Sequence, residues 1–192
     1  MKKLFTLLIS FALALGGTAQ ITSLPYNQNF EGVGTGSTSC GAAQVLGIEW
    51  SNDTADDIDW NIDINGTSSS NTGPTANGGA DHNPGISGGK YLYLESSSGC
   101  TLDTANLVSD PIITTGNEPN LFFEFWYHQY GADINVLYVE SRLVVAGVPG
   151  PWIPGDTLFT PPPGLDMWQQ GFVDYSSYLG DTFQIRLRGV TG

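Results

Sequence analysis

The chain has 192 residues, 40% of them hydrophobic, and carries 6 basic residues against 19 acidic ones for a formal charge of −13. That length suits one well-cored domain. So acidic a surface repels phosphate backbones and anionic lipid, which excludes nucleic acid and membrane-surface partners and favours divalent cations without specificity.

Residues 1–20, MKKLFTLLISFALALGGTAQ, set Lys2 and Lys3 before an apolar run and end on small residues. This is the layout of a secretory signal peptide, cleaved near Ala19 or Gln20. Its apolar run of about 12 residues falls short of the roughly 20 needed to span a bilayer, and no later stretch is long and apolar enough for a membrane span. The expected product is one exported domain, residues 21–192, secreted or held at the cell surface. Without the leader, Lys90, Arg142, Arg186 and Arg188 face nineteen acids, a formal charge of −15. Cys40 and Cys100 are the only cysteines, and in an oxidising compartment they are expected to form a disulfide. Closing a loop of about sixty residues, it would stabilise by roughly 3 to 4 kcal/mol on the chain-entropy view.

The remaining chain shows short alternating runs divided by Gly, Asn, Pro and Ser, with almost no helical period, so an all-β sandwich or barrel is expected. DIDWNIDI predicts a strand with Ile58, Trp60, Ile62 and Ile64 on one face and Asp57, Asp59, Asn61 and Asp63 on the other. After it comes a long Gly/Ser/Asn/Pro stretch from Asn65 to Gly89, read as a surface loop; such loops are usually functional or ligand-stabilised. KYLYLES alternates Tyr91 and Tyr93 with Leu92 and Leu94. LFFEFWYHQY is apolar on both sides for part of its length, which predicts a central strand. INVLYVESRLVV, MWQQGFVDY and TFQIRLRGV follow, the last with Phe183, Ile185 and Leu187 inward and Gln184, Arg186 and Arg188 toward water.

Five aspartates, Asp53, Asp56, Asp57, Asp59 and Asp63, crowd residues 53–63. Strand neighbours two apart stand about 6 to 7 Å from each other, too far for one ion. The calcium-loop template begins well at Asp59, Asn61 and Asp63 but needs glycine where Ile64 stands. The expectation is a wet face or loop hydrogen bonds, with one aspartate in a cation site as the alternative.

Catalytic patterns are weak. GISGG matches the nucleophile-elbow pattern, yet Ser87 follows a loop and precedes a strand where the elbow needs strand then helix. His82 and His128 are the only histidines, and His128, beside Trp126 and Tyr130, reads as a packing residue. Asn52 and Asn65 open glycosylation sequons, which matter only in a eukaryotic host.

NFEG at 29–32, Trp50 followed by DDIDW, Gly73-Pro74, Asp81-His82, GKYLYLESS at 89–97, ANLVS at 105–109, FWYHQYG at 125–131, Trp168 and FQIRLRG at 183–189 together resemble, in order and spacing, the MAM domain of extracellular proteins. The resemblance implies a jelly-roll β-sandwich of two antiparallel sheets. It also implies a non-catalytic interaction or adhesion module that meets a protein partner or glycan at the cell surface. A structural calcium ion is implied as well, with Glu31 and Asp81 as ligands. Many members carry four cysteines where this chain has two, so the Cys40–Cys100 pairing rests on compartment and not on the family. The family continues past a segment like FQIRLRGV with a strand bearing an Asp-Asp pair, so its last strand is expected to be missing beyond Gly192, which would leave a sheet edge unpaired. Two alternatives stay open. One is a carbohydrate-binding module using Trp126, Tyr130, Trp152 and Trp168, since exposed aromatics stack on sugar rings. The other is an accessory domain of a secreted peptidase or glycosidase.

Overall fold

The computed structural model describes residues 19–67, 69, 71–75, 79, 81–97, 99–159 and 165–192, the last six of the 99–159 stretch by their backbone alone. The expected leader lies outside the described residues up to position 18. Eleven strands follow in order among the described residues: β1 Trp50–Asn52, β2 Asn61–Ile64, β3 Lys90–Tyr93, β4 Thr104–Ser109, β5 Ile112–Ile113, β6 Phe122–Tyr127, β7 Ile134–Val145, β8 Val148–Pro149, β9 Ile153–Phe159, β10 Gln169–Asp174 and β11 Thr182–Thr191. A single 3-10 turn, Ser176–Tyr178, is the only helical element described.

The strands form a β-sandwich of the jelly-roll class. One layer is a seven-stranded antiparallel sheet ordered β1-β4-β11-β7-β8, with β5 also on β11 and β9 also on β7. The other layer consists of two ribbons, β2 with β3 and β6 with β10. Between the layers Ile62, Leu107, Val139, Phe183 and Ile185 are almost fully buried, and Trp60, Phe123, Phe125 and Leu187 pack against them. Ile58 sits apart, in a small cluster with Cys100 and Ala105 that Trp60 joins to the main core. The long β7 turns into β8 at Ala146 and Gly147, both with positive φ (51° and 78°), the backbone that a two-residue hairpin turn needs to match strand twist.

Cys40 and Cys100 are bridged, with Cα atoms 5.7 Å apart. The link ties the irregular segment before β1 to the turn before β4.

Four expectations change. The strand over residues 57–64 shortens to β2, because side chains capture the backbone groups upstream: Asn52 Nδ2 donates to Trp60 O while Asn52 Oδ1 accepts from Trp60 N. Short polar side chains compete with a strand ladder in this way. Asn61 is buried, not wet, and its amide donates to Ala42 O and Asp59 O. β6 is no central strand, since among the described residues its only ladder partner is β10. Gln184 is buried and donates to Ser109 O, while Arg186 and Arg188 pair with Glu140 instead of facing open water. Glu140 is 1% exposed, and a carboxylate so buried demands cationic partners.

Candidate functional site

The five aspartates act as backbone acceptors. Asp53 takes Ala55 N, Asp56 takes Asn106 N, Asp57 takes Thr104 N, Asp59 takes Gln44 N and Asp63 takes Ile64 N. Asp56 and Asp57 staple the loop before β2 to β4 and Asp59 staples it to the segment at Gln44, whereas the bonds of Asp53 and Asp63 are local. Burial raises the carboxyl pKa of Asp56 and of Asp63.

A cleft of about 1600 Å³ opens between the two ribbons and the large sheet, lined among others by Tyr91, Trp126, Tyr130, Trp168, Asp81 and Leu187. Along its rim, Trp126 stacks on His82 with ring centroids 3.5 Å apart. Deeper in, Trp168 meets Tyr91 and His128 edge-on at 5.9 and 5.4 Å. His128 Nε2 lies 2.9 Å from Asp166 Oδ1, and Asp166 also accepts from Thr75 N and Thr75 Oγ1. That junction pins the Gly-rich loop to the segment before β10. Burial lowers the His128 pKa and the Asp166 carboxylate partly opposes the shift. Ser87 is exposed, with Oγ 3.5 Å from Asn65 Oδ1, and stands in the loop ahead of β3 as its sequence position suggested.

Three of the four aromatics singled out as sugar ligands, Trp126, Tyr130 and Trp168, thus meet at the cleft. Trp152 lies instead on the outer face of the large sheet, where the guanidiniums of Arg142 and Arg186 sit 4.1 and 4.4 Å from its ring centroid. Of the four, Trp126 alone is exposed, at 41%.

Glu31 and Asp81 flank consecutive residues at the start of β3. Glu31 Oε1 accepts from Lys90 N at 2.7 Å, and a Cβ at Gly89 would stand 2.1 Å from Asp81 Oδ1, so only glycine lets that carboxylate approach. Asp81 is 4% exposed; its Oδ1 accepts from Gly85 N, whereas Oδ2 is buried without a hydrogen-bond partner among the described residues. A buried, donorless carboxylate oxygen suits a hard cation. The Lys90 ammonium already donates to Glu31 O and Val33 O. The residues present fit an ion bound mainly through Asp81.

The outer face of the β6–β10 ribbon escaped the sequence reading. Phe122 and Phe172 are 48% and 52% exposed with ring centroids 4.7 Å apart, beside Glu124 and Trp126. Strict alternation through GFVDY was the available signal for Phe172. Asp166 and Glu140 carried no local signal, because their roles come from partners distant in sequence.

The family model of the MAM domain, described as meprin/A5/mu, matches residues 29–192. Neuropilin-1a of Danio rerio is similar at 32% identity over 83 residues, 43% of this chain and 8% of that protein's length.

Proposed function

The chain belongs to the MAM domain family of extracellular adhesion and interaction modules, and from that premise we propose that it is a non-catalytic docking module of a secreted or cell-surface protein, meeting a protein partner through the outer face of the β6–β10 ribbon. The observation that carries this reading is the Phe122–Phe172 pair, two large rings left half-exposed side by side on a folded sheet. Contiguous exposed apolar surface with a polar rim marks interaction sites, and aromatic residues are enriched in them. The disposition of the histidines supports the non-catalytic part: His82 is stacked on Trp126 and His128 is held by Asp166. No helix among the described residues is long and apolar enough to cross a membrane. Export through the N-terminal leader would place the module where its disulfide persists.

Beads coated with the protein should bind cells of its own source, and Phe122→Ser with Phe172→Ser should abolish binding. A Val45→Ser control, at a position 94% exposed and away from the ribbon, should leave binding intact. Equal capture by wild type and the double variant overturns the reading.

A glycan ligand is the second reading, favoured by the gathering of Trp126, Tyr130 and Trp168 at one cleft. Tryptophan fluorescence titrated with oligosaccharides tests it; the glycan reading requires a saturable shift that Trp126→Ala removes. For the ion, calcium held by Asp81 and Glu31 would neutralise a buried carboxylate and stiffen the loop ahead of β3. Calcium should raise the Tm, and Glu31→Ala or Asp81→Asn should remove the rise.

A further inference from the structure

All three arginines of this acidic chain stand on one outward face, that of β7 and β11 in the large sheet. Register explains the gathering: Arg142 lies opposite Gln184, Arg186 opposite Glu140 and Arg188 opposite Tyr138. Glu140 divides its two oxygens between Arg186 and Arg188. Arg142 is left over. Its Nε donates to Gln184 Oε1 at 2.9 Å, and among the described residues no carboxylate comes within ion-pairing distance of it. The three cations and one anion leave a local excess of positive charge in a molecule whose formal charge is −13.

The guanidiniums are also held in place. Arg142 and Arg186 both lie over the Trp152 ring, and Arg188 lies 4.1 Å from the Tyr138 ring centroid. Burial and the neighbouring Arg186 lower the pKa of Arg142, and the Asp53 carboxylate partly opposes the shift. Fixed guanidinium forks suit carboxylates, and little side-chain entropy remains to be lost on binding. Charge beyond about 8 Å is screened at physiological salt, so the local excess outweighs the distant acids.

We propose that Arg142 and Arg186, mounted on Trp152, receive a carboxylate of an acidic peptide segment in a partner protein. This deepens the docking reading by adding a second contact on the opposite side of the sandwich. A carboxylate is the anion that Arg186 and Arg188 already bind, through Glu140. A sugar ring, by contrast, would have to displace a guanidinium to stack on Trp152. Aromatic and arginine side chains are also the residues that dominate protein–protein hot spots.

The test titrates the whole chain with end-capped hexaglutamate, with hexaglutamine as control and a heparin hexasaccharide as competitor class. Hexaglutamate should bind and hexaglutamine should not. Arg142→Gln should weaken binding about tenfold or more, the loss expected for a charge-assisted pair, with the protein still folded and the Tm falling only by the worth of the Gln184 hydrogen bond and the Trp152 contact. Equal binding by wild type and Arg142→Gln, no binding of hexaglutamate, or a preference for the heparin saccharide would each overturn the proposal. Bead capture that is lost in the Phe122→Ser/Phe172→Ser variant while hexaglutamate binding persists would count in favour of both contacts. Capture that survives in that variant sinks the ribbon reading alone.

Discussion

The outer face of the large sheet carries Glu140, Arg186 and Arg188 bound to one another, whereas the outer face of the β6–β10 ribbon carries Phe122 and Phe172 as a half-exposed ring pair. Both faces look outward from one sandwich and both depart from the plain polar surface that alternation leads one to expect. They differ in what a partner would gain. On the arginine face Glu140 compensates part of the charge inside the fold, and Arg142 with its neighbour Arg186 keeps a positive excess for an outside group. On the ribbon face the rings remain half in water, and covering them would be favourable at about 25 cal/mol per Å². The lesson is that a polar face of a sheet can be a structural network while an apolar one is the open surface.

If the arginine network is structural, Glu140→Ala should cause the largest loss. It strands two half-buried guanidiniums, and removal of one partner of a buried pair costs about 3 to 5 kcal/mol, read by denaturant unfolding. A cost below about 1 kcal/mol would reduce the network to surface decoration. Gly171→Ala probes the inward side of the ribbon, where an added Cβ would stand 2.4 Å from the Phe125 ring. Overpacking of this kind costs about 1 to 3 kcal/mol, and the Tm should fall accordingly. Phe172→Ser on the outward side should cost about 1 kcal/mol, the worth of the aromatic pair, while removing bead capture. A large stability loss there would make the ring part of the core.

The smallest effect is a slope. Burial depresses the folded-state pKa of His128, so the unfolded chain binds its proton first. Stability from this group is therefore present above the ordinary histidine value of about 6.5 and is lost as pH falls below it toward the folded-state value. His128→Gln should flatten unfolding free energy against pH in that window, and an unchanged slope would rule out His128 as its source.

Legibility followed the surroundings of each strand. β11 was plain in the sequence because Phe183, Ile185 and Leu187 alternate with Gln184, Arg186 and Arg188, and β7 and β10 stood out as apolar runs between turn residues although Val136–Val139 and Phe172–Val173 break the period of two. β4 was not, although it lies between β1 and β11 in the large sheet: Ala105, Asn106 and Leu107 are all buried in succession, and a strand covered on both sides loses its period of two. β6 misled in the opposite sense. Its apolar residues on both sides predicted a central place, yet Phe122 and Trp126 are exposed. The segment at 57–60 failed as a strand because Asn52 took the backbone groups of Trp60, and Thr104 O took the N–H groups of Asp57 and Ile58. Of the site residues, Glu31 and Asp81 do come to adjacent positions beside β3, and Cys40 does reach Cys100, while Trp152 parts from Trp126, Tyr130 and Trp168.

What the sequence by itself determined was the class: alternation with a period of two and punctuation by Gly, Pro and Asn force pleated layers. Which polar residues would be buried, and which aromatic ones bare, was decided by tertiary structure alone. Whether Glu140 meets Arg186, or Phe122 meets Phe172, depends on strand register between segments more than forty residues apart, and register is a property of the assembled sheet that no local window contains.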